Sequence, residues 1–153
     1  MTNAISSFDA LYNNPFIFAP LFVEFYKGLG RRPNSIVLSY LVLPLTLPPE
    51  TRRFFKNARR SSSLHTFLID RSRLYGLPER IERYREITNR TLQYTLDLEC
   101  LQLGSDLSLT FQEHPLTTNI CPADTPKAAR KLGEILAPFD IPSQYRMLGI
   151  KKL

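Results

Sequence analysis

The sequence predicts a mainly α-helical domain with one small β-hairpin, an α+β fold. In several segments apolar residues recur every three to four positions, and the segments open at proline or serine, as amphipathic helices do. Between Leu98 and Phe111, apolar residues instead alternate on both sides of Gly104-Ser105-Asp106, a hairpin pattern. The length of 153 residues is that of one domain, so residues 1–153 are predicted to form a single unit.

A first helix is predicted from Pro15 to about Leu29. Asn14 is a suitable N-cap, proline is favoured at the first helical position, and Gly30 ends the pattern. Glu24 and Lys27 are the only charged residues of this segment, so the helix is apolar on most sides. A helix of this kind must be covered on most sides.

The aromatic residues of this helix cannot share one face, because a helix advances about 100° per residue. The stripe that begins at Phe18 and continues at Phe22 is the predicted core face. Phe16, Leu21 and Val23 are left outside it, and an exposed apolar patch marks a partner site. We therefore predict a partner interface there; a fully internal core is the alternative.

The next segments are short and punctuated by proline. Residues 36–47 allow a buried strand, but a short buried helix from Ser35, broken before Pro44, is the favoured interpretation. A further helix is predicted from Glu50 to about Ala58, after Pro48-Pro49.

Residues 63–111 resemble a winged helix-turn-helix. One helix follows the serine cluster at 61–63 and ends at Gly76, and the longest helix starts at Pro78. The hairpin comes next, and two helices joined by a short turn and followed by a hairpin match that motif.

The chain is predicted to close with a helix over residues 126–137 and an extended tail over 138–153. Tyr145, Leu148 and Ile150 are the apolar positions of the tail, and they are predicted to belong to the partner interface.

Positive charge is concentrated in one segment. Thr51 to Arg90 contains eleven Lys or Arg and four Asp or Glu, a net +7, whereas the whole chain carries +6 and the remainder therefore −1. Arg80, Arg83 and Arg90 lie mostly off the apolar stripe of the longest helix and are candidate phosphate contacts. The alternative is a solvated helical face on which arginines pair with nearby acids.

No catalytic, cofactor or metal site is predicted. The two histidines, His65 and His114, have no nucleophile pattern around them, and no glycine-rich phosphate loop is present. Cys100 and Cys121 lack the close spacing of zinc ligands. We therefore expect a protein that is not an enzyme.

Two cysteines without a signal peptide indicate the cytoplasm, and the longest apolar run is too short to span a membrane.

Several blocks of the sequence carry a resemblance to a known family. They are the opening NNPFIFAPLFVEFYKGL, the LSYLVLPLTLPPETRRFF block, the arginine-dotted helix, the Leu-Gln-Leu-Gly hairpin and the ending Tyr-x-x-Leu-Gly-Ile. Together they resemble the middle components of bacterial three-component ABC-ATPase systems, over about Asn13 to Ile150. Lamassu-type antiphage and antiplasmid systems belong to this group.

The resemblance implies a non-catalytic adaptor between an SMC/Rad50-like ATPase and an effector protein of nuclease type. It also implies that any DNA contact is non-specific and made together with these partners. A free-standing winged-helix DNA-binding regulator is the alternative, supported by the basic segment and the hairpin.

Overall fold

A computed structural model of the chain describes residues 14–113 and 124–151. In these ranges the helices are α1 (Pro15–Leu29), α2 (Ser39–Thr46), α3 (Pro49–Lys56), α4 (Leu64–Leu68), α5 (Leu77–Arg83), α6 (Arg85–Asp97), α7 (Asp124–Leu136) and α8 (Ile141–Met147). Short 3₁₀ turns occupy Ser35–Leu38 and Arg71–Leu74. Strands β1 (Leu101–Leu103) and β2 (Leu109–Phe111) form an antiparallel hairpin. The predicted mainly helical α+β class is confirmed.

Helix α1 is the central element of the fold. It begins after Asn14, whose side chain accepts a hydrogen bond from the Phe16 amide, and it ends at Gly30, as predicted. Helices α2, α6 and α7 and strand β2 all pack against it. Nine of its fifteen residues are buried as a result. Other elements of the same chain therefore cover its apolar surface on most sides.

Two glycines let α1 and α7 approach backbone to backbone. A methyl group on Gly28 would lie 2.1 Å from the carbonyl oxygen of Arg130. One on Gly133 would lie 2.2 Å from the carbonyl oxygen of Phe25. Both distances are far inside van der Waals contact, and the obstructing atoms belong to helix backbone that no rotamer change can move. Glycine is thus required at both positions by the closeness of the crossing.

The Tyr26 hydroxyl joins α1 to the segment that follows it. It donates to the carbonyl of Ser35 at 2.8 Å and lies 2.6 Å from the hydroxyl of Ser39. Full burial raises the pKa of Tyr26 far above its ordinary value, so this phenol remains neutral. The Ser35 hydroxyl in turn accepts from the Leu109 amide at 2.9 Å. One 3₁₀ turn therefore fixes α1, α2 and the hairpin relative to one another.

Residues 36–46 are helical, so the favoured interpretation of the 36–47 segment is confirmed and the strand alternative is wrong. The expected break before Pro44 does not occur, because α2 continues through it to Thr46. Proline cannot donate a backbone hydrogen bond to the preceding turn. Pro44 is nevertheless buried inside α2, which continues past it.

The winged-helix resemblance of residues 63–111 is not confirmed. The first of its two predicted helices is only the five-residue α4, followed by a 3₁₀ turn. The predicted long helix is divided at Tyr84 into α5 and α6. Only the hairpin of the motif is present where it was expected.

The C-terminal tail is not extended, and that prediction is wrong over Ile141–Met147, which form α8. Helix α7 matches the predicted helix and begins two residues earlier, at Asp124. The Gln144 side chain donates to the carbonyls of Leu136 and Phe139, both at 2.8 Å. It thereby satisfies carbonyl groups that the end of α7 leaves without a helical partner.

Arg32 reinforces the same junction from the other side. Its guanidinium donates to the carbonyls of Ala137 and Phe139. Arg32 thus fixes the loop between α7 and α8 from a distant part of the chain, and Gln144 holds α8 to the end of α7. None of the helices in the described ranges has the length and apolar character to cross a membrane.

Gly133→Ala tests the close crossing of α1 and α7. In an unobstructed helix interior this change stabilises by about 0.5–1 kcal/mol, but overpacking against backbone costs about 1–3 kcal/mol. We expect a net loss in the free energy of unfolding, measured by urea denaturation. The exposed Lys127 of the same helix is the control, where alanine should be more stable than glycine by about 1 kcal/mol. A Gly133→Ala variant as stable as the parent would contradict the crossing.

Candidate functional site

The predicted interface on α1 is mostly inaccessible. Leu21 is fully buried and Val23 nearly so, and the expectation that they face outward is wrong. The reason is that α1 is enclosed by several elements rather than lying on the surface. Phe16, at the N-terminal end, remains 48% exposed, and its ring lies 4.9 Å from that of Tyr94. Phe16 is therefore the one member of this α1 set that a partner can reach.

The three apolar residues predicted for the tail interface also pack against the rest of the chain. The Tyr145 hydroxyl donates to the Val37 carbonyl at 2.6 Å, and burial raises the pKa of that phenol well above its ordinary value. Leu148 and Ile150 are buried in the main apolar cluster. A partner could reach Leu148 and Ile150 only if the tail detached.

Arg80 has a structural role that its sequence position did not reveal. Its guanidinium donates to the carbonyls of Tyr75 at 2.6 Å, Pro44 at 3.3 Å and Arg73 at 3.4 Å. Desolvation by burial lowers the pKa of Arg80 from its ordinary value. Because its donors are already engaged, Arg80 is poorly placed to contact phosphate.

The other two candidate phosphate contacts differ from each other. Arg90 lies 2.7 Å from the carboxylate of Glu86, one helical turn earlier, which agrees with the alternative of local pairing. Arg83 is exposed and makes no ion pair within residues 14–113 and 124–151. Of the three arginines, only Arg83 has a guanidinium without an ion-pair or carbonyl partner there.

Arg80 and Arg73 together hold the segment Ile69–Gly76, which we term the 69–76 turn. The guanidinium of Arg73 lies over the ring of Phe54 at 4.6 Å and donates to the Phe67 carbonyl at 2.8 Å. A guanidinium over an aromatic ring is attracted to it by a cation–π interaction. A hydrogen bond from a charged donor is also stronger than one between neutral groups. Arg80 thus holds the carbonyls of Arg73 and Tyr75, and the Arg73 side chain connects the turn to α3 and α4.

The start of the same turn is closed by Asp70. Its carboxylate accepts from the Ser72 hydroxyl at 2.5 Å and from the Ser72 amide at 3.1 Å. These hydrogen bonds hold the pKa of Asp70 below its usual range. The carboxylate is therefore ionised at neutral pH and engaged locally.

The 69–76 turn presents two large apolar side chains to solvent. Ile69 is 81% exposed and Tyr75 is 76% exposed, more than any other large apolar residue that the structure describes. The sequence analysis overlooked both. The available signal was that neither residue fits the helical spacing of Leu64, Phe67 and Leu74 around them.

Exposed arginines surround the turn in sequence. Arg71 lies within it, and Arg53 and Arg83 lie on α3 and α5, the helices that carry Phe54 and Arg80. None of these three arginines takes part in an ion pair with any described residue. Only part of the positive charge predicted for residues 51–90 is thus left without an ion pair among the described residues.

The candidate chemical groups do not assemble into a reaction centre in the described part of the chain. His65 is exposed, and its ring meets Phe139 edge-on at 5.6 Å. Cys100 is buried, and burial raises the pKa of its thiol, which disfavours a thiolate. No group of three potential metal ligands occurs among residues 14–113 and 124–151. His114 and Cys121 lie outside the described residues.

Two clefts are present on the described surface. One of about 550 Å³ lies between the end of α6 and the hairpin, lined by Leu96, Glu99 and Gln112 among others. The second, of about 530 Å³, lies beside the α7–α8 junction and includes Arg32 and Phe139. Neither cleft brings a nucleophile next to a general base within these described residues.

Comparison with known proteins gives one informative match. The family model described as "ABC-three component (ABC-3C) system Middle Component 3" matches residues 2–152. No curated protein and no solved structure is significantly similar to the chain.

Separate substitutions of Arg80 and Arg83 distinguish an arginine that holds the backbone of the fold from an exposed arginine without an ion pair. Arg80→Met should lower the free energy of unfolding by about 1–3 kcal/mol, because partly buried carbonyls lose a charged donor. Arg83→Met should change it by less than about 0.5 kcal/mol, as exposed substitutions usually do. Urea denaturation of both variants is the measurement. Equal effects would show that Arg80 does not hold the 69–76 turn.

Proposed function

The chain belongs to the family of ABC-three component system middle components, and we propose that in such a system it is a non-catalytic adaptor. It would bridge an SMC/Rad50-like ABC ATPase and an effector protein. The observation that carries this proposal is the family match across residues 2–152. The sequence resemblance to components encoded between such an ATPase and an effector supports the two partners.

An adaptor needs at least two accessible surfaces, and the described residues offer two. The first is the 69–76 turn, which packs on α3 and α4 through Arg73. The second is the hairpin, where Leu103, Leu107 and Phe111 are each about half exposed. The hairpin packs against α1 and α6, whereas the turn is held by the aromatic cluster of α3 and α4. The two surfaces thus lie on separate parts of the fold.

The hairpin surface is also rigidly supported. Asp106 accepts from the Ser108 hydroxyl at 2.6 Å and pairs with Arg31 at 2.7 Å, so the loop is connected to the end of α1. Hydrogen bonding to Ser108 holds the pKa of Asp106 below its usual range. A pre-ordered loop loses little conformational entropy on binding. This favours the hairpin as a second docking element.

The absence of catalysis is part of the proposal. Hydrolysis requires a nucleophile or an activated water with a positioned base. The exposed His65 and the buried Cys100 lie on separate elements, and neither is paired with a catalytic partner in the described residues. In this proposal, catalysis belongs to the other components.

The finer features of the proposal come from the resemblance. They are a nuclease-type effector, a role in antiphage or antiplasmid defence, and non-specific DNA contact made with the partners. A cytoplasmic location is also part of the proposal and agrees with the ATP that the proposed ATPase partner would need. The free-standing regulator is less well supported, because Arg80 and Arg90 are engaged within the chain and the winged helix is not confirmed.

Reconstitution of the three components tests the adaptor role. The chain is co-expressed with the ATPase and the effector encoded beside it, and the complex is isolated through a tag on the ATPase. We expect the effector to be recovered only when the chain is present. Equal recovery of the effector without the chain would contradict bridging.

The chain purified alone, without the ATPase and the effector, tests the absence of catalysis. The isolated chain should hydrolyse neither ATP nor DNA above background, with Mg²⁺ or Zn²⁺ present. His65→Ala is the matched variant for any residual activity. Hydrolysis that persists through purification and disappears in that variant would show that the chain is an enzyme.

A further inference from the structure

The cleft of about 550 Å³ between the end of α6 and the hairpin, which we term the hairpin cleft, carries a charge opposite to that of the whole chain. Its described lining includes the apolar residues Leu96, Leu101 and Leu103 together with Glu99 and Glu113. The two glutamates are exposed, and they are the only charged residues in that described lining. Neither forms an ion pair with another described residue. The hairpin cleft is therefore negative, on a chain of net charge +6.

The amino-acid sequence around the hairpin has the same sign. The stretch from Thr91 to Pro126 contains no Lys or Arg and five acidic residues, a net −5. These are Asp97, Glu99, Asp106, Glu113 and Asp124. The last turn of α6, which borders the cleft, likewise contains no basic residue. A basic partner would complement this charge, which accelerates encounter and excludes acidic competitors.

Two cations do contact the hairpin, and both are already paired. Lys27 lies over the ring of Phe111 at 5.3 Å from its centre and pairs with Glu24 at 3.1 Å. Arg31 pairs with Asp106 at 2.7 Å. Neither cation belongs to the described lining of the hairpin cleft. The carboxylates of the cleft are thus left without a basic neighbour in that lining.

Strand β1 presents a free main-chain edge at the same cleft. The Gln112 amide donates to the Cys100 carbonyl and the Gly104 amide to the Ser108 carbonyl, both at 2.8 Å. Hydrogen-bonded and non-hydrogen-bonded pairs alternate along an antiparallel ladder, so the N–H and C=O of Leu103 point away from β2. No described residue forms a hydrogen bond with either group. Leu103 is also 43% exposed, so an extended chain can reach this edge.

We propose that the hairpin cleft binds an extended, basic segment of a protein partner. The segment would pair with the main chain of Leu103, as strands added to a sheet edge do. Its Lys or Arg side chains would pair with Glu99 and Glu113, and an apolar side chain would cover Leu103. This inference rests on the proposed function, because it gives the chemistry of one partner that the adaptor holds.

The same features favour a protein segment over DNA or a polyamine. DNA phosphates are repelled by the two carboxylates of the cleft. A polyamine can pair with these carboxylates, but it covers little of Leu103 and offers the main chain no carbonyl acceptor. A peptide supplies the positive charge, the apolar side chain and the main-chain partners together.

The first test uses the purified full chain and a labelled peptide of sequence Gly-Lys-Val-Arg-Leu-Lys-Gly. Its affinity is measured by fluorescence anisotropy at low salt and should fall as the salt concentration rises. Glu99→Gln/Glu113→Gln should weaken binding about fivefold, as the loss of two exposed ion pairs implies. Glu50→Gln/Glu79→Gln is the matched control, because it removes two exposed, unpaired glutamates from α3 and α5. It should change the affinity by less than about twofold.

A second pair of variants tests the apolar contact. Leu103→Ser should weaken binding of the same peptide by about threefold or more, because the bound segment loses apolar area to cover. Leu107→Ser makes the same change on the hairpin at a residue that is 48% exposed and outside the described lining of the cleft. It should leave the affinity unchanged. Melting curves establish that each variant is folded at the assay temperature.

Hydrogen exchange in the three-component complex tests the free edge without a substitution. The Leu103 amide has no hydrogen-bond acceptor among the described residues, so it should exchange rapidly in the isolated chain. It should become protected in the complex isolated through the tagged ATPase. The Gly104 amide, already bonded to Ser108, is the internal control and should be protected in both states.

The outcomes separate this inference from the proposed function. If the complex forms and the Leu103 amide exchanges as rapidly as in the isolated chain, the inference is wrong and the adaptor role stands. If no complex forms, the adaptor role fails, and the peptide measurements still decide the chemistry of the cleft. Equal affinity for a peptide with Glu in place of Lys and Arg would overturn the inference. So would equal competition by spermidine, since the cleft would then bind cations in general.

Discussion

The backbone contact between α1 and α7 at Gly28 and Gly133 is the constraint on which the rest of the structure depends. A helix apolar on most sides is stable in water only if it is covered on most sides. The crossing provides the closest of these contacts, since a methyl group at either glycine would meet helix carbonyls at 2.1–2.2 Å. Helices α2 and α6 and the hairpin then cover the remaining faces of α1.

Once α1 is enclosed, the surfaces open to a partner are limited. The C-terminal tail is used to complete the core through Tyr145 and α8 rather than to reach outward. The arginines of the basic segment divide into those that hold the chain together, as Arg80 does, and those that remain free, as Arg83 does. Among the described residues, the hairpin and the 69–76 turn expose large apolar side chains, as Phe16 does at the start of α1, and both the hairpin and the turn are fixed by polar contacts. That combination suits a component that connects others without changing its own shape.

Structural features that depend only on neighbouring residues could be predicted from the sequence. The bounds of α1 follow from Asn14 and Gly30, and the hairpin follows from alternation around a turn, so both were predicted correctly. Contacts between residues far apart in the sequence could not be predicted from it. The burial of Leu21 depends on elements far along the chain, as does the bond between Arg80 and the Pro44 carbonyl. The exposure of Ile69 was missed because this residue directly follows Phe67 and Leu68 and was not separated from their apolar run, although it lies off the helical spacing.

The central claim is that α1 is enclosed by the chain itself and needs no partner to cover it. Hydrogen exchange of the isolated protein measures this directly. Amides in the middle of α1 should exchange only through global unfolding, with the slowest rates in the chain. Addition of a partner should leave their protection relative to global unfolding unchanged. Fast exchange in α1 of the isolated chain, becoming slow only when a partner binds, would contradict the account.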